Sequence, residues 1–187
     1  MHALLRLAGV IALVAPSAMT LAPRTGAVWP QDAGGLEGRP APPLETRAHL
    51  GPRVPSMAEL QGYVVLMFFW AHWCADCKAE SPIVARVVEK YRPQGLVLIA
   101  PTQRYGYVTA GRAAPPEQEL RYIVQVRDRD YPFLKREAVP YSDANAERYG
   151  VDAVPRIFVI DRRGVVRLDH QGRVTEEALD AAIRKLQ

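Results

Sequence analysis

The sequence contains two cysteines, Cys74 and Cys77, which are separated only by Ala75 and Asp76. This spacing brings the two sulfur atoms close enough to close a small disulfide ring. The thiolate form of cysteine attacks disulfides, and it also binds soft metal ions. The pair is therefore the first candidate for a site that does chemistry, with disulfide exchange and metal binding as its two main possibilities.

Four other interpretations compete with a redox-active dithiol. A purely structural disulfide is one, but a bridge across two residues removes little entropy from the unfolded chain. A zinc site of four cysteines would need a second pair, which the sequence lacks. A peroxidase of the peroxiredoxin type would need a cysteine soon after Pro101 and Thr102, and none follows. A Cu(I) site built from His72 and both cysteines stays open as the main alternative function.

Two segments would position the cysteines. Residues 63–70 form a continuous apolar run, which predicts a strand covered on both faces of a sheet. A helix follows Cys74, because apolar residues recur on one face at Ile83, Val84, Val87, Val88 and Tyr91. The first turn of a helix has unpaired N–H groups and the positive end of the dipole, and both favour a thiolate at Cys74.

The rest of the chain alternates between strand and helix patterns. Strands are predicted at 96–100, 156–160 and 165–168, and helices at 115–127, 143–149 and after Thr175. Strands that alternate with helices indicate a parallel core, and the hairpin turn at 161–164 adds an antiparallel edge. We expect an α/β fold whose central mixed β-sheet is flanked by helices on both faces.

The N-terminal residues have a different character. Arg6, the apolar run at 7–15 and the small residues that follow are typical of a secretory signal peptide. We predict a signal peptide or an N-terminal anchor at 1–27, a flexible tether at 28–39 and one domain at 40–187. The domain would then lie outside the cytoplasm, in a periplasmic or other extracytoplasmic space.

The composition narrows the class of partner. The formal net charge is +4, and two of these charges, Arg6 and Arg24, lie in the leader, which leaves +2 on the remaining chain. Lysines and arginines do not form a basic stripe, so nucleic acid is not an expected partner. The chain of 187 residues is long enough for one domain with a substantial core.

Four segments resemble one known family. The run FWAHWCADCKAESP at 69–82 looks like the active-site segment of thioredoxins, most of all that of the TlpA/ResA-like exported branch. GRPAP at 38–42, YGVDAVP at 149–155 and FVIDRRG at 158–164 are similar to further segments of that branch. The resemblance implies a thioredoxin fold and a thiol–disulfide oxidoreductase that needs no cofactor. Cytochrome c maturation is one process in which such a protein would act. A protein of this fold without redox activity stays a further alternative.

The family also implies roles for single residues. Cys74 would be the exposed attacking thiol, and Cys77 would be the buried resolving thiol. Pro155 would follow a cis peptide bond, and the backbone of Val154 would pair with the substrate chain as an added strand. Trp73 would cover the site, although an ordinary packed aromatic residue is the alternative.

Three positions depart from the family or leave two interpretations open. Phe68 occupies the position where thioredoxins carry a buried aspartate, so it cannot transfer protons. Glu80 matches a functional glutamate of ResA-like proteins and is a candidate catalytic acid, with a solvated helix-face glutamate as the alternative. Arg156 adds a charge near the expected substrate groove, or it is a surface arginine.

The charges near the pair predict the direction of electron flow. Asp76 and Glu80 disfavour a thiolate, and His72 is mostly neutral at pH 7. We therefore expect a reductant with an ordinary Cys74 pKa. Protein disulfides or dithiols are the expected substrates, with a membrane protein as the upstream electron donor and a monomer as the oligomeric state.

The loop at 104–107 and the helix at 115–127 are the least typical of the family. They either shape the surface that meets a partner, since tyrosine and arginine are common at interfaces, or have no such task.

Overall fold

The computed structural model describes residues 35–187. The predicted leader at 1–27 and the first part of the predicted tether, 28–34, lie outside the described residues and stay predictions. Within residues 35–187, the strands are β1 (His49–Leu50), β2 (Val64–Phe69), β3 (Leu96–Ile99), β4 (Val139–Pro140), β5 (Arg156–Ile160) and β6 (Val166–Gln171). The helices are α1 (Ala75–Tyr91), α2 (Pro116–Asp130), α3 (Asp143–Tyr149) and α4 (Glu176–Arg184).

The central sheet has four strands in the order β3-β2-β5-β6. Strands β2 and β3 are parallel, whereas β5 is antiparallel to both β2 and β6. The predicted mixed sheet is confirmed, and its parallel part is the single pair β2–β3. Strands β1 and β4 form a separate antiparallel pair of two residues each, which is too short to show a sequence pattern.

Strand β2 is buried along its whole length because both faces of the sheet are covered. Val64, Leu66 and Phe68 lie in a cluster with apolar residues of α1, α2 and α4. Val65, Met67 and Phe69 lie in a second cluster on the opposite face, which includes residues of β5 and the last residue of α3. The alternation follows from the two-residue period of a strand, and it explains the continuous apolar run.

Helix α1 carries the cysteine pair and is held by the core. Its buried face contains Val84, Val87, Val88 and Tyr91, as the apolar spacing predicted, whereas Ile83 is half-buried. The helix ends at Tyr91, and a short 3₁₀ turn leads to Gly95. Gly95 has φ 89°, a left-handed conformation that glycine adopts without a steric penalty.

Residues 35–39, the end of the predicted tether, run beside strand β6. The backbone N–H of Leu36 donates to Asp169 Oδ2 at 2.8 Å. The N–H of Gly38 donates to the Val166 carbonyl at 2.8 Å, and the N–H of Val166 donates to the Arg39 carbonyl at 2.9 Å. The end of the predicted tether is thus hydrogen-bonded to the domain through Leu36, Gly38 and Arg39. In the described part of the chain, no helix has both the length and the apolar character needed to cross a membrane.

Candidate active site

The two cysteines are joined by a disulfide at the start of helix α1. The Sγ atoms are 2.13 Å apart, and the Cα atoms are 5.2 Å apart. Cys74 is the N-cap residue, with an extended backbone, and its Sγ accepts the backbone N–H of Cys77 at 3.0 Å. The cap therefore directs one of the unpaired N–H groups of the helix terminus at sulfur, and such a group stabilises a thiolate.

The disulfide is less accessible than the family resemblance implied. Cys77 is 0% exposed, as expected, but Cys74 is only 3% exposed rather than an open thiol. The carbonyl oxygen of Val154 lies 3.6 Å from Cys74 Sγ and covers it from one side. Little of Cys74 is therefore open to a partner in the disulfide form.

The Val154–Pro155 peptide bond is cis, as the resemblance implied. Pro155 is buried and Val154 is half-buried. The structure therefore brings Val154 and Pro155 together with the disulfide, although 80 residues separate Val154 from Cys74 in the chain. The role of Val154 in pairing with a substrate stays a prediction.

Trp73 lies beside the disulfide with much of its ring in solvent. It is 47% exposed, which is unusual for a large aromatic residue. Its ring packs edge-to-face against Tyr105, with ring centroids 5.5 Å apart. The position of Trp73 fits a contact with a partner and does not fit an ordinary packed core residue.

Glu80 is buried, so the alternative of a solvated glutamate is wrong. Its exposure is 0%, and Oε1 accepts the backbone N–H of Val174 at 2.6 Å, whereas Oε2 has no hydrogen-bond partner among residues 35–187. Burial raises the pKa of Glu80, and the Val174 hydrogen bond and the charges of His170 and Arg173 oppose this shift in part. Glu80 thus combines a raised pKa with a place one helical turn after Cys77.

Comparison with models of protein families assigns the chain to a family. The model of the Redoxin family matches residues 36–183. The chain belongs to the Redoxin family. The resemblance to thioredoxin-like oxidoreductases is thereby confirmed.

Named relatives of this Redoxin chain agree with the assignment. It is 26% identical to the thioredoxin-like protein YneN of Bacillus subtilis over 150 residues, which are 80% of each chain. It is 29% identical to the thiol:disulfide interchange protein DsbE of Xylella fastidiosa, over 80% of this chain and 68% of that protein. It is 25% identical to the thiol-disulfide oxidoreductase ResA of Bacillus thuringiensis, over 70% of this chain and 67% of that protein.

A solved structure confirms the thioredoxin fold. The crystal structure of a thiol:disulfide interchange protein of the thioredoxin family from Chlorobium tepidum superposes with a TM-score of 0.62 at 18% identity. The match covers 83% of this chain and 98% of that protein.

Arg156 of this Redoxin chain does not offer a free charge to a substrate. Its Nε donates to Asp169 Oδ1 at 2.6 Å, and its Nη1 donates to Gln171 Oε1 at 2.6 Å. The side chain is 15% exposed, and its guanidinium lies 5.6 Å from the centre of the Phe158 ring. Arg156 therefore joins β5 to β6, so neither interpretation from the sequence describes it fully. Phe68 is fully buried and provides no acid at its position.

His72 lies among aromatic rings. It is 3% exposed, and its ring packs edge-to-face against Tyr105, Tyr107 and Tyr122 at centroid distances of 5.6, 5.6 and 5.4 Å. Burial lowers the pKa of His72, which favours the neutral ring. Among residues 35–187, no group of three or more His, Cys, Asp or Glu side chains is arranged to hold a metal ion. The Cu(I) alternative needs both cysteines in the reduced form, so it stays a prediction.

Glu119 is a structural residue of the site that sequence reasoning missed. It is 0% exposed, and its two carboxylate oxygens accept the backbone N–H groups of Tyr105 at 2.6 Å and Gly106 at 2.9 Å. Its position in the first turn of α2 gives no signal of this task, because acidic residues are common there. Glu119 fixes the loop that places Tyr105 against Trp73.

Proposed function

We propose that this chain is a protein thiol–disulfide oxidoreductase that exchanges disulfides with exported proteins through Cys74 and Cys77. The observation that carries the proposal is the disulfide at the start of α1, where the Cys77 N–H donates to Cys74 Sγ. The names of the DsbE and ResA relatives support the same activity.

The reduced protein would react in two exchange steps. The Cys74 thiolate attacks one sulfur of the substrate disulfide, a Cys74–substrate S–S bond forms, and the second substrate sulfur leaves as a thiolate. Cys77 then loses its proton and attacks Cys74 Sγ, which releases the first substrate sulfur. Two electrons pass to the substrate, its two thiolates take up protons, and the protein ends in the disulfide state that the structure describes.

Glu80 is our candidate for the group that takes the proton of Cys77. Its carboxyl group is buried one turn along the helix, and burial raises its pKa toward the range in which proton transfer at neutral pH is efficient. The unpartnered Oε2 is free to accept a proton while Oε1 keeps its bond to Val174. Phe68 leaves the position of the family's other acid without a titratable group.

The substrate chain would bind beside Val154. The carbonyl of Val154 lies 3.6 Å from Cys74 Sγ, so a substrate strand that pairs with the Val154 backbone would bring its own sulfur to Cys74 Sγ. Trp73 offers an exposed aromatic surface next to the same point. Pro155, which is buried, follows Val154 in this segment.

We further propose that the protein acts as a reductant. Asp76 lies in the first turn of α1, and a negative charge there disfavours the thiolate of Cys74. Burial lowers the pKa of His72, which disfavours the positive charge that could offset Asp76. A dithiol whose thiolate is weakly stabilised is held more firmly in the disulfide form, which is the property of a reductant.

The cellular setting follows from the leader and the fold family. The signal-like residues 1–27 support export to a periplasmic or other extracytoplasmic space, with or without retention as an anchor. A membrane-bound dithiol protein would return the two electrons, and a monomer would act on the substrate. An apocytochrome whose cysteines have formed a disulfide is the substrate that the resemblance to TlpA/ResA-like proteins favours.

Trapping of mixed disulfides tests the function. A Cys77→Ala variant lacks the resolving sulfur, so we expect substrates to stay attached to Cys74 after acid quenching of cells of the source organism. Non-reducing electrophoresis and mass spectrometry would then identify the partner. The redox state of the trapped partner would also show the direction of electron flow.

A Cys74→Ala variant is the matched control. It also lacks the dithiol, but its remaining sulfur belongs to a residue that is 0% exposed, so we expect few adducts. Equal adducts from both variants would contradict the assigned roles. Failure of the unaltered protein to exchange with both insulin and glutathione disulfide would contradict the function itself.

A further inference from the structure

A mostly apolar groove lies next to Cys74. The residues that line it include Phe69, Trp73, Tyr105, Val151 and Val154. We call this the Trp73–Val154 groove. The carbonyl oxygen of Val154 also lies 3.6 Å from Cys74 Sγ. A substrate whose disulfide is attacked by Cys74 therefore brings the residues next to its own cysteine to the groove.

The groove contains one polar group without a partner. Gln103 lines it, and its Oε1 is buried and accepts no hydrogen bond from any described residue. A buried acceptor that lost its water without gaining a donor is unfavourable, so a donor that reaches it is favoured. The side chain of Gln103 is only half-buried, which lets its amide group turn toward a side chain in the groove.

The aromatic side of the groove is held in position before a substrate binds. The Tyr105 hydroxyl donates to the Trp70 carbonyl at 3.3 Å, and the Tyr105 N–H donates to Glu119 at 2.6 Å. The Tyr105 ring packs edge-to-face on both Trp73 and His72. Aromatic rings prefer this arrangement with another ring, so the groove offers an edge or a face to an incoming aromatic side chain.

We propose that the Trp73–Val154 groove selects substrates with an aromatic side chain that carries an N–H or O–H donor, close to the cysteine that Cys74 attacks. The inference rests on the proposed function and names a substrate class for it. The aromatic body packs against Trp73 and Tyr105, and the donor binds Gln103 Oε1. Tyrosine, tryptophan and histidine share this chemistry, whereas phenylalanine has the ring without the donor.

Pairs of synthetic peptides test the proposal. Each peptide carries one cysteine as a mixed disulfide with thionitrobenzoate, which is the better leaving group, so that Cys74 attacks the peptide sulfur. Tyrosine or phenylalanine is placed at each of the two positions on either side of the cysteine, and tryptophan and histidine follow at the best position. For the reduced, unaltered protein we expect one position at which the tyrosine peptide reacts about fivefold faster than its phenylalanine twin.

A Gln103→Met variant removes the acceptor and keeps the length of the side chain, so we expect the tyrosine-to-phenylalanine ratio to fall to about one. Gln118→Met changes an exposed glutamine of α2 in the same way, and the ratio should persist. A ratio of about one at every position in the unaltered protein would overturn the proposal, even where Gln103→Met does not fold. A ratio that survives Gln103→Met would overturn the role of Gln103.

The same measurement separates this inference from the function on which it rests. The unaltered protein is also tested against glutathione disulfide, which has no aromatic side chain. Exchange with glutathione disulfide but no peptide preference removes the groove proposal alone. No exchange with any disulfide removes the proposed function and this inference with it.

Discussion

Glu80 differs from the other acidic residues of helix α1 because its carboxyl group is buried and only half hydrogen-bonded. Burial raises its pKa, which means that the folded protein holds the proton more tightly than the unfolded chain does. The protonated form is therefore the one that the fold favours. Stability that is present below the unfolded pKa of about 4.3 is lost as the pH rises through the higher folded pKa.

A Glu80→Gln variant keeps an acceptor for the Val174 N–H but cannot titrate. We expect its free energy of unfolding, relative to the unaltered protein, to rise as the pH increases from 4 to the folded pKa of Glu80, and then to level off. Denaturant unfolding at a series of pH values would show this. We also expect the rate of disulfide exchange at pH 7 to fall about 100-fold, because the proton of Cys77 loses its acceptor.

Glu89→Gln is the control for this prediction. Glu89 is an exposed residue of the same helix, and its contact with Arg92 is long, at 3.8 Å. Loss of the Glu89 carboxylate should change neither the pH dependence of the free energy of unfolding nor the rate of disulfide exchange. An unchanged rate in Glu80→Gln would remove Glu80 from the mechanism.

At the scale of elements, helix α2 holds the loop at 104–107 through the side chain of Glu119. Glu119 accepts two backbone N–H groups from the loop that follows β3, and that loop carries Tyr105 to the ring of Trp73. Arg104 lies 3.5 Å from the same carboxylate. The loop therefore depends on α2 for its conformation.

A Glu119→Ala variant should lower the free energy of unfolding by about 2 kcal/mol, because two partly buried N–H groups lose a charged acceptor. Hydrogen exchange at the Tyr105 and Gly106 amides should become faster, and the Trp73 fluorescence should shift. Glu117→Ala is the control, since Glu117 lies in the same first turn but is exposed. Equal losses of stability in both variants would contradict the role of Glu119.

At the scale of the whole molecule, the redox state and the stability of the fold are linked. Cys74 and Cys77 belong to the same core cluster as β2, α1 and α4, so the dithiol and the disulfide forms differ inside the core. For a reductant, the disulfide form is the more stable folded state. For a strong oxidant the order is the reverse, because its reduced form is stabilised.

We therefore expect reduction to lower the free energy of unfolding, by about 2 kcal/mol on the chain-entropy relation for so short a loop. Denaturant unfolding with and without a thiol reductant would measure it. A Cys74→Ser, Cys77→Ser double variant should not respond to the reductant. A reduced form that is the more stable, or a potential near the about −120 mV of DsbA-type oxidants, would contradict the proposed direction.

The sequence by itself determined the parts of this protein that depend on neighbours along the chain. The buried strand β2, the apolar face of α1 and the place of Cys74 before the helix follow from residue periodicity and from the unpaired N–H groups of a helix start. The bounds of α3 and β5 agree with those predicted. These features need no knowledge of distant contacts.

Only the tertiary structure decided the features that depend on segments far apart in the chain. The buried carboxylate of Glu80 accepts a hydrogen bond from Val174, which lies 94 residues later in the chain. Cys74 is covered by the carbonyl of Val154, which lies 80 residues later. The same holds for the short β1–β4 pair and for the bond between Glu119 and the loop. No local pattern encodes such contacts, because they form only when the whole sheet brings the segments together.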